Sequence, residues 1–162
     1  MARFRYRMQN ILDIKLKMEN QARQEFAQAK YLLDKEEEKL ESLIIRKNEY
    51  VERAKSLLNG KLDVLEISAN KEAILRMDEY IWEQEEAVAK AKDFLETARE
   101  RLTGVMQERK IHETLKEKAF EEFLLEEKQQ ESKEIDQLTS YSYGQKLLLA
   151  EEGNAEEAGS GS

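Results

Sequence analysis

The chain has 162 residues, contains neither proline nor cysteine, and carries a formal net charge of -8. Charged residues make up 38% and aromatic residues 7% of the sequence, which is typical of long helices or coiled coils rather than of a compact mixed domain. The absence of cysteine excludes disulfides and thiolate metal sites, and the negative charge argues against general nucleic-acid binding.

Residues 3–58 are expected to form the first helix, because they contain no glycine or proline and their apolar residues recur at alternating steps of three and four. A step of four from Ala22 to Phe26 follows another step of four, which predicts a stutter where the supercoil unwinds. The predicted seam of this helix is Phe4, Met8, Ile11, Lys15, Met18, Ala22, Phe26, Ala29, Leu33, Glu36, Leu40, Leu43, Lys47, Tyr50, Ala54 and Leu57.

Residues 59–62 are expected to form a turn, since Asn59-Gly60 supplies a residue that tolerates positive φ. Asp63 with Glu66 resembles a capping box, and Ser68 is a second possible N-cap, so the second helix is predicted over residues 63–140. Its seam follows strict heptad spacing through Ile74, Met77, Ile81, Gln84, Val88, Ala91, Leu95, Ala98, Leu102 and Val105.

Two seams joined by a short turn predict an all-α fold, a long antiparallel two-helix coiled-coil hairpin over residues 1–140 in which helix 2 overhangs helix 1. Phe4 would face roughly residue 117, so helix 2 would continue alone for about twenty residues, or roughly 30 Å. Residues 141–162 are expected to form a flexible tail whose final Gly-Ser-Gly-Ser is typical of a cloning remnant.

The predicted overhang carries four large apolar side chains among glutamates, namely Phe120, Phe123, Leu124 and Leu125. The first three are spaced i, i+3 and i+4 and therefore share one helix face. Docking of this face into a partner's groove is one interpretation. Self-association through residues 119–138 and a frayed helix end are the alternatives.

The sequence contains no pattern that predicts catalysis, a metal site or a cofactor. His112 is the only histidine, so no histidine pair is available to bind a metal, and no nucleophile and base stand out as a pair. A two-helix hairpin also offers no concave substrate pocket. We therefore expect a protein that is not an enzyme. No apolar run is long enough to span a membrane, and no signal core follows the basic N-terminus.

Two stretches of the chain resemble flagellar export proteins of the FliJ family: "FRYRMQNILDIK" at residues 4–15 and "ERKIHETLKEKAFEEFLLEEKQQESKEIDQL" at residues 108–138. The resemblance covers about residues 3–140. It implies a coiled-coil stalk and chaperone escort of the bacterial flagellar type III protein export apparatus, similar to the rotary stalk of ATP synthases. The implied partners are the hexameric export ATPase, the cytoplasmic domain of the export gate membrane protein, and export chaperones. The implied location is cytoplasmic, peripheral at the cytoplasmic face of the inner membrane.

The resemblance also implies two binding surfaces. The open end of the hairpin would enter the ATPase ring, and the residues assigned to it are Phe4, Arg5, Arg7, Met8, Phe120, Phe123 and Leu124. The gate-binding surface would lie near the joining end, at Leu43, Arg46, Tyr50, Ala73, Met77, Tyr80 and Gln84. Ala73 stands where the family usually has a large aromatic residue, and Gln84 replaces a histidine-like polar residue. Leu43, Tyr50 and Met77 also lie on the predicted seams, so packing in the core is the alternative for these three.

Overall fold

The computed structural model describes residues 2–159, which form two helices and no strand. Helix α1 spans Gln9–Leu57 with 49 residues, and helix α2 spans Val64–Gly159 with 96 residues. The two helices pack in antiparallel directions and α2 is the longer, which confirms the predicted all-α helical hairpin. Residues 160–162, which belong to the suspected cloning remnant, lie outside the described residues.

The chain divides into two compact units. The hairpin unit comprises Ile11–Lys110, and the terminal unit combines Met1–Asn10 with Ile111–Ser162. Within residues 2–159, no helix combines the length and the apolar character that crossing a bilayer requires.

The turn between the helices follows the predicted chemistry. Gly60 has a φ of 97°, a left-handed conformation that glycine adopts without steric cost. The Asp63 carboxylate accepts hydrogen bonds from the backbone N–H groups of Leu65 at 3.1 Å and Glu66 at 3.4 Å. Asp63 is therefore the N-cap of α2, and Ser68, the alternative N-cap, lies inside the helix.

The heptad pattern of α2 correctly identified the residues that face α1. All ten predicted seam positions between Ile74 and Val105 are buried or half-buried. The most buried of them are Met77, Val88, Ala98 and Val105. Because each helix has a single partner helix, only one stripe of its surface enters the core.

The seam of α1 runs through Leu12 and Glu19 rather than through Ile11 and Met18. Leu12 is 3% exposed and Glu19 is 5% exposed, whereas Ile11 is 37% exposed. Glu19 lies seven residues after Leu12 and three before Ala22, so one heptad register continues through this part of the helix. The predicted stutter after Ala22 is therefore wrong. It arose because the apolar Ile11 and Met18 were assigned to the seam in place of their neighbours Leu12 and Glu19.

Burial of Glu19 is made possible by two arginines. Its Oε1 accepts a hydrogen bond from Arg23 Nη2 at 2.8 Å, one turn further along α1, and its Oε2 pairs with Nε of Arg109 on α2. The hydrogen bond from Arg23 and the pairing with Arg109 hold the pKa of Glu19 below its ordinary value, against the opposing effect of burial. Breaking such a pair leaves an uncompensated charge, so the network penalises any change of register between the helices.

Two further polar contacts link the helices along the hairpin unit. The buried Asn70 donates from Nδ2 to the backbone carbonyl of Tyr50 at 3.0 Å. Gln84 donates from Nε2 to the backbone carbonyl of Glu36 at 2.9 Å and also contacts the Glu36 carboxylate. Gln84 is the one polar residue in the predicted α2 seam, and this contact satisfies its amide within the interface.

The ends of both helices differ from the expected boundaries. Helix α1 begins at Gln9 rather than at residue 3, and the preceding residues are not helical. Aromatic residues are weaker helix formers than leucine or alanine, which disfavours helix at Phe4 and Tyr6. Helix α2 continues to Gly159, so residues 141–159, expected to form a flexible tail, are helical in the structure. Strong helix formers in the run "QKLLLAEE" offset the cost of the glycines on either side, about 1 kcal/mol each.

We predict that Leu12→Ala lowers the free energy of unfolding by about 2–5 kcal/mol, because the leucine is almost fully buried in the seam. Leu16→Ala is the matched control, since Leu16 is 38% exposed and should cost much less. Urea denaturation followed by circular dichroism measures both changes. Equal destabilisation by the two variants would contradict the revised register of α1.

We also predict a pH-dependent contribution from Glu19. Its folded-state pKa lies below the ordinary value of 4.5, so its contribution to stability is fully present above about pH 4.5 and is lost as the pH falls through the lowered pKa. Glu19→Gln should therefore destabilise the protein at neutral pH, by at most about 3–5 kcal/mol, and much less in acid.

The control for this measurement is Glu25→Gln, which removes an exposed pair with Arg101 at 2.9 Å. An exposed pair of this kind contributes about 0–1 kcal/mol. Urea titrations of both variants at neutral pH and below pH 4.5 provide the comparison. A Glu19→Gln variant as stable as Glu25→Gln at neutral pH would show that the buried network does not stabilise the hairpin unit.

Candidate partner-binding surfaces

The terminal unit contains a three-ring aromatic cluster. Its first ring comes from the arm, which we define as the non-helical residues 2–8. Phe4 on the arm packs edge-on against Phe120 of α2, with ring centroids 5.1 Å apart, and against Phe123 at 5.4 Å. Phe120 and Phe123 lie 6.4 Å apart with nearly parallel planes. These separations are those of favourable aromatic pairs.

This cluster corrects the expectation that Phe120 and Phe123 have no partner in the chain. A helix 1 that started near residue 3 would have placed Phe4 opposite roughly residue 117. An extended arm spans up to about 3.3 Å per residue, whereas a helix rises only 1.5 Å per residue. A non-helical arm can therefore carry Phe4 further along α2 than a helical one.

The aromatic cluster still leaves apolar surface accessible. Phe120 is 43% exposed, Leu124 is 50% exposed, and Met8 on the arm is 43% exposed. Phe4 and Phe123 are half-buried. All seven residues assigned to ATPase binding belong to the terminal unit, and the structure brings the three phenylalanines among them into direct contact.

Two clefts border the arm. The basic cleft, of about 490 Å³, is lined by Arg3, Phe4, Arg5, Tyr6, Gln9 and Lys116, with no acidic side chain. The mixed cleft, of about 450 Å³, is lined by residues 3–8 of the arm and by Ala119, Glu122, Phe123 and Glu126 of α2. Arg5 borders both clefts, and Arg7 and Met8 border only the mixed one. The proximity of Lys116 to the arginines of the arm was not predicted from the sequence.

His112 also lies in the terminal unit, and it is half-buried. Its Nδ1 is buried and makes no hydrogen bond within the part of the chain that the structure describes. Residues 2–159 contain no group of three or more histidine, aspartate or glutamate side chains arranged to hold a metal ion.

The residues assigned to gate binding all lie in the hairpin unit, and most of them point towards the helix interface. Met77 is buried, and Leu43, Tyr50, Ala73 and Gln84 are half-buried. Packing in the core, the alternative to gate binding, therefore holds for Met77. Arg46 is exposed and Tyr80 is 48% exposed, so these two residues are the most accessible part of the assigned surface.

An apolar surface at the joining end of the hairpin unit was not predicted from the sequence. Leu58, Leu62, Val64 and Leu65 are 62–82% exposed. Next to them is a cleft of about 370 Å³, lined by Ala54, Leu57, Leu58, Ile67, Asn70, Lys71, Ile74 and Leu75. The signal was present in the sequence, because turns are usually rich in polar residues and this one is surrounded by leucine and valine.

Comparisons with known proteins give a consistent picture. The family model for the flagellar FliJ protein matches residues 4–148. The flagellar FliJ protein of Bacillus subtilis (strain 168) is 25% identical over 136 residues, which cover 84% of this chain and 92% of that protein. A solved structure of CT670, a YscO homologue from Chlamydia trachomatis, has a TM-score of 0.69 at 24% identity, covering 87% of this chain and 96% of that one. This last likeness shows a shared fold.

Met77 and Tyr80 permit a direct test of core packing against surface binding. Met77→Ala should lower the free energy of unfolding by about 2–5 kcal/mol, because it leaves a cavity in the seam. Tyr80→Ala should change it by only about 0.5 kcal/mol or less, because nearly half of the side chain is exposed. Urea denaturation distinguishes the two. A Met77→Ala variant as stable as the wild type would show that Met77 does not pack in the core.

Proposed function

The chain belongs to the flagellar FliJ family, and from that premise we propose that it is the stalk of a bacterial flagellar type III export ATPase. The family match and the shared fold with a YscO homologue support a component of flagellar or type III protein export. In our proposal the protein is not an enzyme. It inserts its terminal unit into the ATPase ring, links the ring to the cytoplasmic domain of the export gate protein, and receives export chaperones at the cytoplasmic face of the inner membrane.

The observation that carries this proposal is the partly exposed aromatic cluster. It is built from the N-terminal arm and from α2, and it presents Phe120 with the neighbouring Leu124 to solvent. Full burial of such a side chain against a partner contributes about 1.5–3 kcal/mol as an upper bound, before the costs of association. A groove inside a protein ring would bury this face, and the exposed Arg5 and Arg7 would lie at its border.

The protein's own contribution to ATP turnover would be mechanical. Helix α2 is one unbroken helix from Val64 to Gly159. In the hairpin unit, the Glu19–Arg109 pair opposes sliding of α2 against α1. Contact with the ring would then bias the arrangement of the ATPase subunits, while nucleotide binds only to those subunits.

The gate contact that we propose uses only two of the seven residues assigned from the sequence. Arg46 and Tyr80 are accessible for contact, and the inward-facing residues would act by supporting them. The exposed leucines and valine at the joining end add apolar surface in the same unit. A gate contact would therefore combine Arg46 and Tyr80 with the cleft near Leu58.

The alternative function is a structural coiled-coil protein that associates with itself through residues 119–138. It draws support from Leu124, Leu125, Ile135 and Leu138, which are 50–66% exposed along one helix. This alternative requires a concentration-dependent molar mass, which analytical ultracentrifugation measures directly. A monomer at all concentrations would exclude it.

The stalk proposal predicts that Phe120→Ser with Phe123→Ser abolishes stimulation of the cognate export ATPase, because the change removes two of the three rings of the cluster. Trp82→Ser with Phe94→Ser is the matched control, since it removes two aromatic side chains that are 61% and 56% exposed in the hairpin unit. ATP turnover titrated with each variant is the measurement. The control should stimulate turnover as the wild type does.

Circular dichroism and sedimentation accompany this assay, and both variants should remain helical and monomeric. Equal stimulation by the phenylalanine variant and the wild type would show that the aromatic cluster does not contact the ring. A phenylalanine variant that loses helix content would instead show that the cluster maintains the fold of the terminal unit.

A further inference from the structure

The basic cleft has a composition that stands out against the rest of the chain. The protein carries a net charge of -8, yet three cationic side chains and no carboxylate line this cleft. Arg3 and Arg5 come from the arm, and Lys116 comes from α2. The positive charge is therefore assembled by the fold from two separate parts of the sequence.

The three cationic side chains of the cleft are not neutralised by carboxylates of the described part of the chain. Arg3, Arg5 and Lys116 form no ion pair with any residue of the 2–159 range. The Tyr6 hydroxyl, which belongs to another lining residue, is buried and has no hydrogen-bond partner in that range.

Phe4 determines where the arginines of the arm lie. Its ring packs against Phe120 and Phe123, which fixes the arm on α2 between the basic and the mixed cleft. Arg3 and Arg5 flank Phe4 directly in the sequence. Fixing the phenylalanine therefore reduces the freedom that both arginines would lose on binding an anion.

We propose that the basic cleft binds an acidic segment of a partner protein, with carboxylates of the partner paired to Arg3, Arg5 and Lys116. Arginine presents a planar fork of donors that matches the geometry of a carboxylate. The inference rests on the proposed function, because it assigns the chemistry by which the terminal unit would recognise its partner. Phe4 acts in it as a positioning residue.

The surroundings of the cleft favour a narrow acidic peptide over a membrane or a nucleic acid. The next part of α2 is strongly acidic, with Glu121, Glu122, Glu126, Glu127 and Glu131 within a short stretch. An extended anionic surface that reached the cleft would also approach these glutamates and be repelled by them. A single peptide strand can place its carboxylates in a cleft of about 490 Å³ without covering that stretch.

The test uses the full chain and a fluorescein-labelled oligoglutamate peptide, with binding followed by fluorescence anisotropy. Replacing the three cations together, by Arg3→Gln, Arg5→Gln and Lys116→Gln, should weaken binding about tenfold, the effect of losing three solvent-accessible ion pairs. The matched control is Lys30→Gln, Lys61→Gln and Lys90→Gln, which removes the same charge from exposed positions of the hairpin unit. The control should bind nearly as the wild type does.

Phe4→Ala provides a second readout, because it releases the arm and leaves all three cations in place. It should also weaken binding of the peptide, while circular dichroism shows that the helices remain. Failure of the wild type to bind the peptide, or equal weakening by the cleft and control variants, would overturn the proposal.

Vesicles containing phosphatidylserine test whether the basic cleft binds an anionic membrane surface instead of a protein. The proposal expects no binding to them beyond that of the cleft variant, and tighter binding by the wild type would overturn the assignment to a protein partner. None of these measurements involves the ATPase. The acidic-peptide proposal can therefore be overturned while Phe120 and Phe123 still prove necessary for ATPase stimulation. Peptide binding without any effect of Phe120 and Phe123 on the ATPase would overturn the stalk proposal alone.

Discussion

In the hairpin unit each helix has one partner, so only one stripe of each helix can be removed from water. Everything in this unit follows from that constraint. The most completely buried side chains are small, such as Ala22 and Ala29, and most larger seam residues remain half-exposed. An apolar seam with a regular heptad repeat packs almost equally well after a shift of one heptad, so apolar contacts alone define the register weakly. The contacts that define it are polar.

The buried carboxylate of Glu19 gives the strongest definition of register. It is acceptable in the seam only where Arg109 reaches it from α2 and Arg23 reaches it along α1. Asn70 and Gln84 add two positions at which a shift would leave an amide without its partner. The half-exposed seam and the polar contacts are therefore complementary: apolar burial favours association of the helices, and the polar contacts select one alignment.

The parts of this fold that depend on local patterns could be predicted from the sequence, and the parts that depend on distant contacts could not. Heptad spacing identified the α2 seam, and the chemistry of Gly60 and Asp63 identified the turn and the N-cap. The burial of Glu19 was not predicted, because periodicity was counted over apolar residues. Its burial in the seam depends on Arg109, which is 90 residues away in the sequence. The non-helical conformation of the arm was not predicted for a similar reason. Phe4 fits a helical apolar pattern, and that pattern does not reveal its contact with Phe120 of α2.

The positions of the polar contacts also have a consequence for how the hairpin unit folds. The Asn70–Tyr50 contact joins residues 20 apart in sequence, the Gln84–Glu36 contact joins residues 48 apart, and the Arg101–Glu25 pair joins residues 76 apart. Loop-closure entropy rises with each increase in separation, so pairing that starts beside Gly60 and proceeds outwards closes only a small additional loop at every step. Along that route the Asn70–Tyr50 contact would form first, then the Gln84–Glu36 contact, and then the Arg101–Glu25 pair. A misaligned chain would leave the Asn70 amide without its partner while few apolar contacts had formed. A chain that followed this route would reverse a misalignment early, when few contacts have to be broken.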